Sequence, residues 1–243
     1  YKLISGVSGG TDVAISFIPG STTLKDIKAD ATTLTTYATT ASAIVDIVTN
    51  GTTLFVANAT RIFYQTIGAT GALNNHYSTG TAAVKMAWVK QRLVACIGAS
   101  VYELTNAKGS SHSLPTATYT HPNADWTWSS ISEGGSAIYA AGYAGGTSAI
   151  YKFILSTAGV MPTLTSGIVA AQLPIGEIVY KIESYLGYLM IGTNKGMRVA
   201  SISDTTGDLS YGPLIFEDTN GVYDFAFRDK YVWATGTIGG YAG

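Results

Sequence analysis

Three histidines, a single cysteine and a few scattered acids are the side chains in this 243-residue chain most able to do chemistry. His76, His112 and His121 each stand alone in a Ser/Thr/Pro/Asn-rich stretch. A metal site needs His, Cys, Asp or Glu at ligand spacing, so the pattern predicts solvated loop histidines and no metal site. Cys96 lies in the apolar run 93–97 and reads as a buried, inert thiol. Signatures of an activated nucleophile are missing: there is no Gly-x-Ser-x-Gly elbow, no Ser-x-x-Lys box with its partners, and no His-Glu-x-x-His. The phosphate-binding Gly-x-x-x-x-Gly-Lys-Ser/Thr loop is also missing, and the glycine clusters are spaced like hairpin turns. Glu133, Glu177, Glu183 and Glu217 could supply the two facing carboxylates of glycoside hydrolysis, but no local motif selects a pair. The expectation is a chain with no catalytic residue and no cofactor, and not an enzyme.

Aromatic side chains offer a different chemistry. Trp126 and Trp128 sit in His121-Pro122-Asn123-Ala124-Asp125-Trp126-Thr127-Trp128, with Tyr119, Tyr139, Tyr143 and Tyr151 close in sequence. Exposed Trp and Tyr rings stack on sugars and anchor protein interfaces. Trp126, Trp128 and Tyr143 are therefore candidate surface-binding aromatics. The competing reading is that the indoles fill space between sheets.

The elements that must position these residues come from a repeat. Take Leu54, Leu93, Ile138, Leu189 and Val232 as anchors; they are 39, 45, 51 and 43 residues apart. Eight residues before each stands a polar residue: Asp46, Lys85, Ser130, Lys181 or Asp224. Seven before is always apolar, and three after is always small: Ala57, Cys96, Ala141, Gly192 or Thr235. Turn-forming pairs such as Asn50-Gly51 and Gly134-Gly135 lie between the halves and suit tight hairpins. A third strand follows at Ile62, Val101, Ile150 and Met197, and the fifth copy is expected to run out before its own. Copies of about 40–50 residues with several short strands each predict an all-β fold, a β-propeller of short antiparallel blades with about five repeat units visible. The polar position admits two readings: a ring lining a channel, or charges pairing between neighbouring blades. Residues 43–243 form the propeller, while residues 1–42 match the repeat poorly. They are expected to be the end of a preceding domain or ring-closing strands. Within them, 13–18 alternates like a strand and 25–37 reads as irregular or strand-forming. The loops 68–80, 107–123 and 156–176 are expected to hold outermost strands.

Composition narrows the partners. Charged residues are 12% of the chain, and the formal net charge is -1 with a pI of about 6.3. Nucleic-acid binding would need clustered Lys and Arg. No run approaches the ~18 apolar residues of a membrane span. Tyr1-Lys2-Leu3-Ile4 is no signal peptide, and the chain reads as a piece of a longer one.

Several stretches carry a family likeness. Residues 119–128, Ala137-Ile138-Tyr139-Ala140-Ala141-Gly142-Tyr143 and Ser148-Ala149-Ile150-Tyr151-Lys152-Phe153 resemble minor tail proteins of bacteriophages that infect actinobacteria. Leu173-Pro174-Ile175-Gly176-Glu177-Ile178-Val179 is similar to that family's Leu-Pro-x-Gly-Glu-x-Val. Tyr185-Leu186-Gly187, residues 191–199 and residues 207–214 continue the likeness, which spans roughly residues 80–243 in order along the chain. The resemblance implies a structural component of a phage tail, at its tip or side, that contributes to assembly and host-cell attachment. It implies residence in the virion, outside cells, in multiple copies among other tail proteins. The family motif carries no catalytic residue across. The alternatives are a carbohydrate-binding module that recognises a host cell-surface glycan, and a glycan-degrading propeller enzyme.

Overall fold

The computed structural model describes the backbone of residues 2–8, 11–28, 34–69, 71–80, 84–217, 221–236 and 240–242. Every regular element among them is a strand. No helix there is long and apolar enough to cross a membrane. The strands form six antiparallel sheets in which chain neighbours pair. The first is β1 (Lys2–Ser8), β2 (Thr11–Phe17), β3 (Thr23–Lys28) and β4 (Thr35–Thr39). The second is β5 (Ile44–Thr49), β6 (Thr53–Asn58), β7 (Arg61–Thr66) and β8 (Asn74–Ser78). The third is β9 (Val84–Val89), β10 (Arg92–Ile97), β11 (Ser100–Leu104) and β12 (Tyr119–Thr120). The fourth is β13 (Thr127–Gly134), β14 (Ala137–Ala144), β15 (Thr147–Ile154) and β16 (Ile168–Gln172). The fifth is β17 (Val179–Tyr185), β18 (Tyr188–Thr193), β19 (Gly196–Ile202) and β20 (Leu209–Tyr211), with β21 (Phe216–Glu217) also on β19. The sixth is β22 (Asp224–Arg228), β23 (Tyr231–Thr235) and β24 (Gly240–Ala242).

The repeat is visible in the ladder itself. Each anchor lies on the second strand of its sheet and pairs with the residue five before it: Leu54 with Thr49, Leu93 with Trp88, Ile138 with Glu133, Leu189 with Ser184 and Val232 with Phe227. The polar position always faces the small one, as Asp46–Ala57, Lys85–Cys96, Ser130–Ala141, Lys181–Gly192 and Asp224–Thr235. In the first sheet the anchor pair is Val7–Asp12, and Ile4–Ile15 takes the place of the polar and small residues. An acid occupies the anchor position there, which is why residues 1–42 did not register as a copy although they form a four-stranded sheet. Residues 29–33 of the 25–37 stretch lie outside the described residues, and both its ends are strands. The sixth sheet does have a third strand: β24 pairs Ala242 with Trp233.

The chain divides into two compact units, residues 1–97 with 102–117, and residues 98–101 with 118–243. In the first, one core joins Ile15, Phe17 and Leu24 to Leu54 and Val56, and a second joins Phe55, Ala57 and Ile62 to Met86, Leu93 and Ala95. Successive residues of β6 therefore bury opposite faces of one sheet, and all six of its residues are buried. This accounts for an unbroken apolar run where a half-exposed strand would alternate. In the second unit, Tyr139, Ala141 and Ile150 pack with Ile182, Leu189 and Ile191, and Met190 packs with Val222 and Phe225. The small position is needed there: a Cβ on Gly192 would stand 2.6 Å from the Val222 carbonyl oxygen.

The polar position joins one sheet to the next. Buried Asp46 accepts hydrogen bonds from the Lys2 Nζ (2.6 Å) and from the Met86 backbone N–H of the following sheet (2.6 Å). Ser130 Oγ donates to the Ile182 carbonyl at 3.1 Å, and Lys181 Nζ lies 2.9 Å from Asp224 and 3.1 Å from Glu183. Burial pulls the Lys181 ammonium down, and the two carboxylates more than offset it, leaving it above its ordinary value. At Asp46 and Lys181 the contacts are opposite charges pairing between neighbouring sheets, while Ser130 makes a neutral hydrogen bond.

Candidate functional site

The sequence picked out Trp126, Trp128 and Tyr143 as exposed rings. The first two are corrected: Trp126 is 6% and Trp128 3% exposed. The segment before them folds on itself. Asn123 N–H donates to His121 Nδ1 at 3.1 Å, Asn123 Oδ1 accepts from Asp125 N–H at 2.9 Å, and Trp126 N–H donates to the Asn123 carbonyl at 3.1 Å. This turn lays His121 flat on Trp126, with centroids 4.1 Å apart and planes 15° apart. His121 Nδ1 also lies 3.3 Å from the Asn123 carbonyl, and Nε2 is hydrogen-bonded to Tyr151 Oη at 3.0 Å. Burial lowers the His121 pKa. Trp128 meets Trp126 edge-on at 5.7 Å and Tyr151 at 5.5 Å. Tyr119 stacks on Tyr151, whose hydroxyl burial pushes up to about 12. A Cβ on Gly142 would fall 2.4 Å from Trp126 Nε1, so a glycine is what admits the indole. The result is a closed aromatic box that fills the sheet's edge. Tyr143 lies opposite Thr127 across the hairpin, half-buried.

The open site lies elsewhere, within the first unit. Between the second and third sheets is a cavity of about 470 Å3. Its deep wall is Phe55, His76, Leu93 and Leu104, all buried. Trp88, half-buried, lies parallel to Phe55, with centroids 6.0 Å and planes 8° apart. Register explains its place: Trp88 is the partner of the anchor Leu93, a position held by Thr49, Glu133, Ser184 or Phe227 in the other copies. Arg92 Nη1 donates to Glu103 Oε1 at 2.7 Å, and both side chains are largely buried. Lys108 Nζ donates to Thr53 Oγ1 at 2.9 Å. No carboxylate among the described residues forms an ion pair with it.

His76 was expected in a solvated loop and is instead 2% exposed on β8. The 68–80 segment supplies the sheet's fourth strand and so carries the ring inward. It packs on Tyr77 at 4.4 Å, Tyr64 at 5.4 Å and Phe55 at 6.0 Å. Its Nδ1 has no hydrogen-bond partner. Burial, then the nearby His112 and Lys108 charges, hold its pKa down to about 4, so the imidazole is neutral at physiological pH. An orphaned buried nitrogen costs about 1–3 kcal/mol. His112 is also drawn in, half-buried, and its Nε2 hydrogen-bonds the Ala107 carbonyl at 2.9 Å. Its backbone N–H donates to the His76 carbonyl at 2.8 Å, and Asn106 N–H donates to Tyr77 Oη at 2.8 Å. Residues 106–112 thus strap across β8 and close one side of the cavity. At the other lip, Lys90 (φ 48°) and Gln91 (φ 60°) are consecutive left-handed residues without a glycine, a conformation costing roughly 1–2 kcal/mol per residue. Arg92 Nε donates to the Lys90 carbonyl at 3.1 Å and fixes that turn.

The remaining chemistry-bearing residues are placed as structure. Glu177 is buried and held by Arg198 through two hydrogen bonds of 2.8 Å. Glu183 pairs with Lys181. The Glu217 side chain lies outside the described residues. Cys96 is buried, and burial pushes its thiol up. No group of three or more His, Cys, Asp or Glu among the described residues could hold a metal ion. Spacing alone could not have found the cavity, because its residues come from five strands and three connecting segments. The register position of Trp88 was the one signal available.

No family model matches the chain, and no curated protein matches it. Solved structures match it in fold. The PQQ-bound aldose sugar dehydrogenase of Streptomyces coelicolor has 9% identity over 94% of this chain and 85% of its own, with a TM-score of 0.61. A putative 6-phosphogluconolactonase of Bacteroides uniformis has 17% identity, covering 96% and 76%, with a TM-score of 0.65. A nidogen/laminin complex chain has 8% identity, covering 92% and 84%, with a TM-score of 0.60. The chain is an all-β protein of the β-propeller class. The expectation that it is not an enzyme is corrected by the same comparison. Chains of this fold include a sugar dehydrogenase and a putative lactonase, so neither fold nor missing motifs exclude catalysis.

Proposed function

We propose that the chain is a structural component of a bacteriophage tail that contributes to host-cell attachment by holding a host cell-surface glycan. The observation that carries the attachment half is the cavity beside Trp88. It combines an aromatic face, a fixed ion pair, a free cationic charge and an orphaned buried imidazole in one preformed space. Sites of this kind pair an apolar wall with a few convergent polar groups. The place in the tail is supported by the likeness of residues 80–243 to minor tail proteins. A surface poor in charge also suits a part that packs into a larger particle. Two measurements test the reading. Mass spectrometry and electron microscopy of purified particles should find the chain at the distal tail, and purified chain added to host cells should slow adsorption of the phage. A chain absent from particles, or one that leaves adsorption unchanged, would sink it.

A further inference from the structure

We infer that the cavity between the second and third sheets binds a single acidic sugar residue, a hexuronate unit, with Lys108 reading its carboxylate. The inference rests on the attachment reading above and names its ligand. Three features of the cavity specify the chemistry. Trp88, backed by the parallel ring of Phe55, offers a flat apolar surface to the C–H face of a pyranose. The space, about 470 Å3, suits a ligand of one or two rings. The third feature is charge. Arg92 is satisfied by Glu103 at 2.7 Å, so the pair is a neutral, rigid donor–acceptor edge for hydroxyls. Lys108 keeps an uncompensated positive charge at the rim, spending one donor on Thr53. A neutral sugar would leave that charge unanswered; a carboxylate answers it.

The remaining groups fit a polyhydroxy ring. His76 lines the space with an unpartnered Nδ1, buried and held by three aromatic neighbours, so it is oriented before any ligand arrives. Asn50, Gln91, Thr105 and Asn106 stand around the opening with hydroxyl-matching amides and a hydroxyl. The strained Lys90–Gln91 turn holds Gln91 and Arg92 at that opening, and backbone strain persists where the surrounding structure over-determines it.

The test uses the whole chain and defined probes. Calorimetric titration with methyl β-glucuronide should give binding at least about tenfold tighter than with methyl β-glucoside, as a charge-assisted hydrogen bond would supply. Lys108→Gln should erase that preference without moving the unfolding midpoint, because Lys108 is exposed. Added salt should weaken the glucuronide and leave the glucoside unchanged. Trp88→Ala, checked for folding by its midpoint, should weaken both sugars together. Equal affinity for the two glycosides, or full preference retained in Lys108→Gln, overturns the inference. So does inorganic phosphate binding as tightly as the glucuronide. A chain that binds glucuronide yet is missing from particles refutes the tail reading and leaves the site standing. A chain present in the tail that binds no glucuronide does the reverse.

Discussion

His76 carries an imidazole that the fold keeps neutral, with its pKa near 4 against an ordinary 6.5. Between those values the unfolded chain binds the extra proton, so stability is complete above about pH 6.5 and is lost as pH falls toward 4. The loss should reach roughly 2–3 kcal/mol, measured as the drop in urea midpoint from neutral to acid pH. His76→Phe should lose that part of the pH dependence and be neutral to stabilising at neutral pH, since it removes an unpartnered nitrogen. Identical acid sensitivity in both proteins would show that His76 is not the group responsible. A second single-residue effect sits at Leu186, which is 69% exposed at φ 50° ahead of Gly187 at φ 82°. Two positive φ values in a two-residue hairpin favour Asn-Gly, so Leu186→Asn should raise stability by about 0.5–1 kcal/mol in denaturant titration. At this scale the sequence was a poor guide. An indole looks the same in a string of letters whether it faces water or, like Trp126, lies over a glycine sixteen positions on. Burial of His76 was hidden for the same reason: whether Asn74-Asn75-His76-Tyr77 faces in or out depends on which strand it pairs with.

Strands were far more legible, because their signal is periodic and the ladder turns period into place. The separation of five between anchor and partner follows directly from a two-residue hairpin loop, so any copy with an apolar anchor could be read in register. The first sheet escaped because Asp12 takes the anchor's place, and β24 because too few residues remain after β23 to show a pattern. Connections between strands were legible as turn-forming pairs and polar loops, and the roles of their side chains came only from the fold. The run 173–179 contains Glu177, whose carboxylate is gripped by Arg198 while Arg198 also donates to the Gly212 carbonyl at 2.9 Å and lies over the Tyr211 ring. This one pair ties the entry to β17 to the far side of β19. Glu177→Ala leaves a guanidinium buried without its acid and should cost about 3–5 kcal/mol. The double variant Glu177→Leu with Arg198→Met should recover much of that loss, because a desolvated pair is replaced by apolar packing. Equal losses in the single and double variants, read from chemical unfolding, would mean that the pair is not what holds this connection.

Across the whole chain, the balance of charge governs how molecules meet each other. A net charge of -1, with 12% of residues charged, leaves almost no mutual repulsion near the pI of about 6.3. Apolar side chains meanwhile stand in water at Ile175 (90% exposed), Ile215 (63%) and Leu3 (61%). Attraction then has little to oppose it, so self-association of the isolated chain should peak near its pI and fall on either side. Composition made this property readable from the sequence, whereas the cavity at Trp88 was not, because it depends on which strands meet. Ile175 lies in a turn closed by the Glu177 N–H on the Pro174 carbonyl, with its side chain free of the core. Ile175→Asp should therefore cost little stability, yet add a negative charge at an exposed apolar spot. Light scattering between about pH 5 and about pH 9 should show the wild-type maximum near the pI. In Ile175→Asp the maximum should be lower and displaced to more acid pH. A variant that scatters like the wild type throughout would move the cause from charge and exposed apolar surface to a specific self-contact, whose strength would depend on concentration and far less on pH.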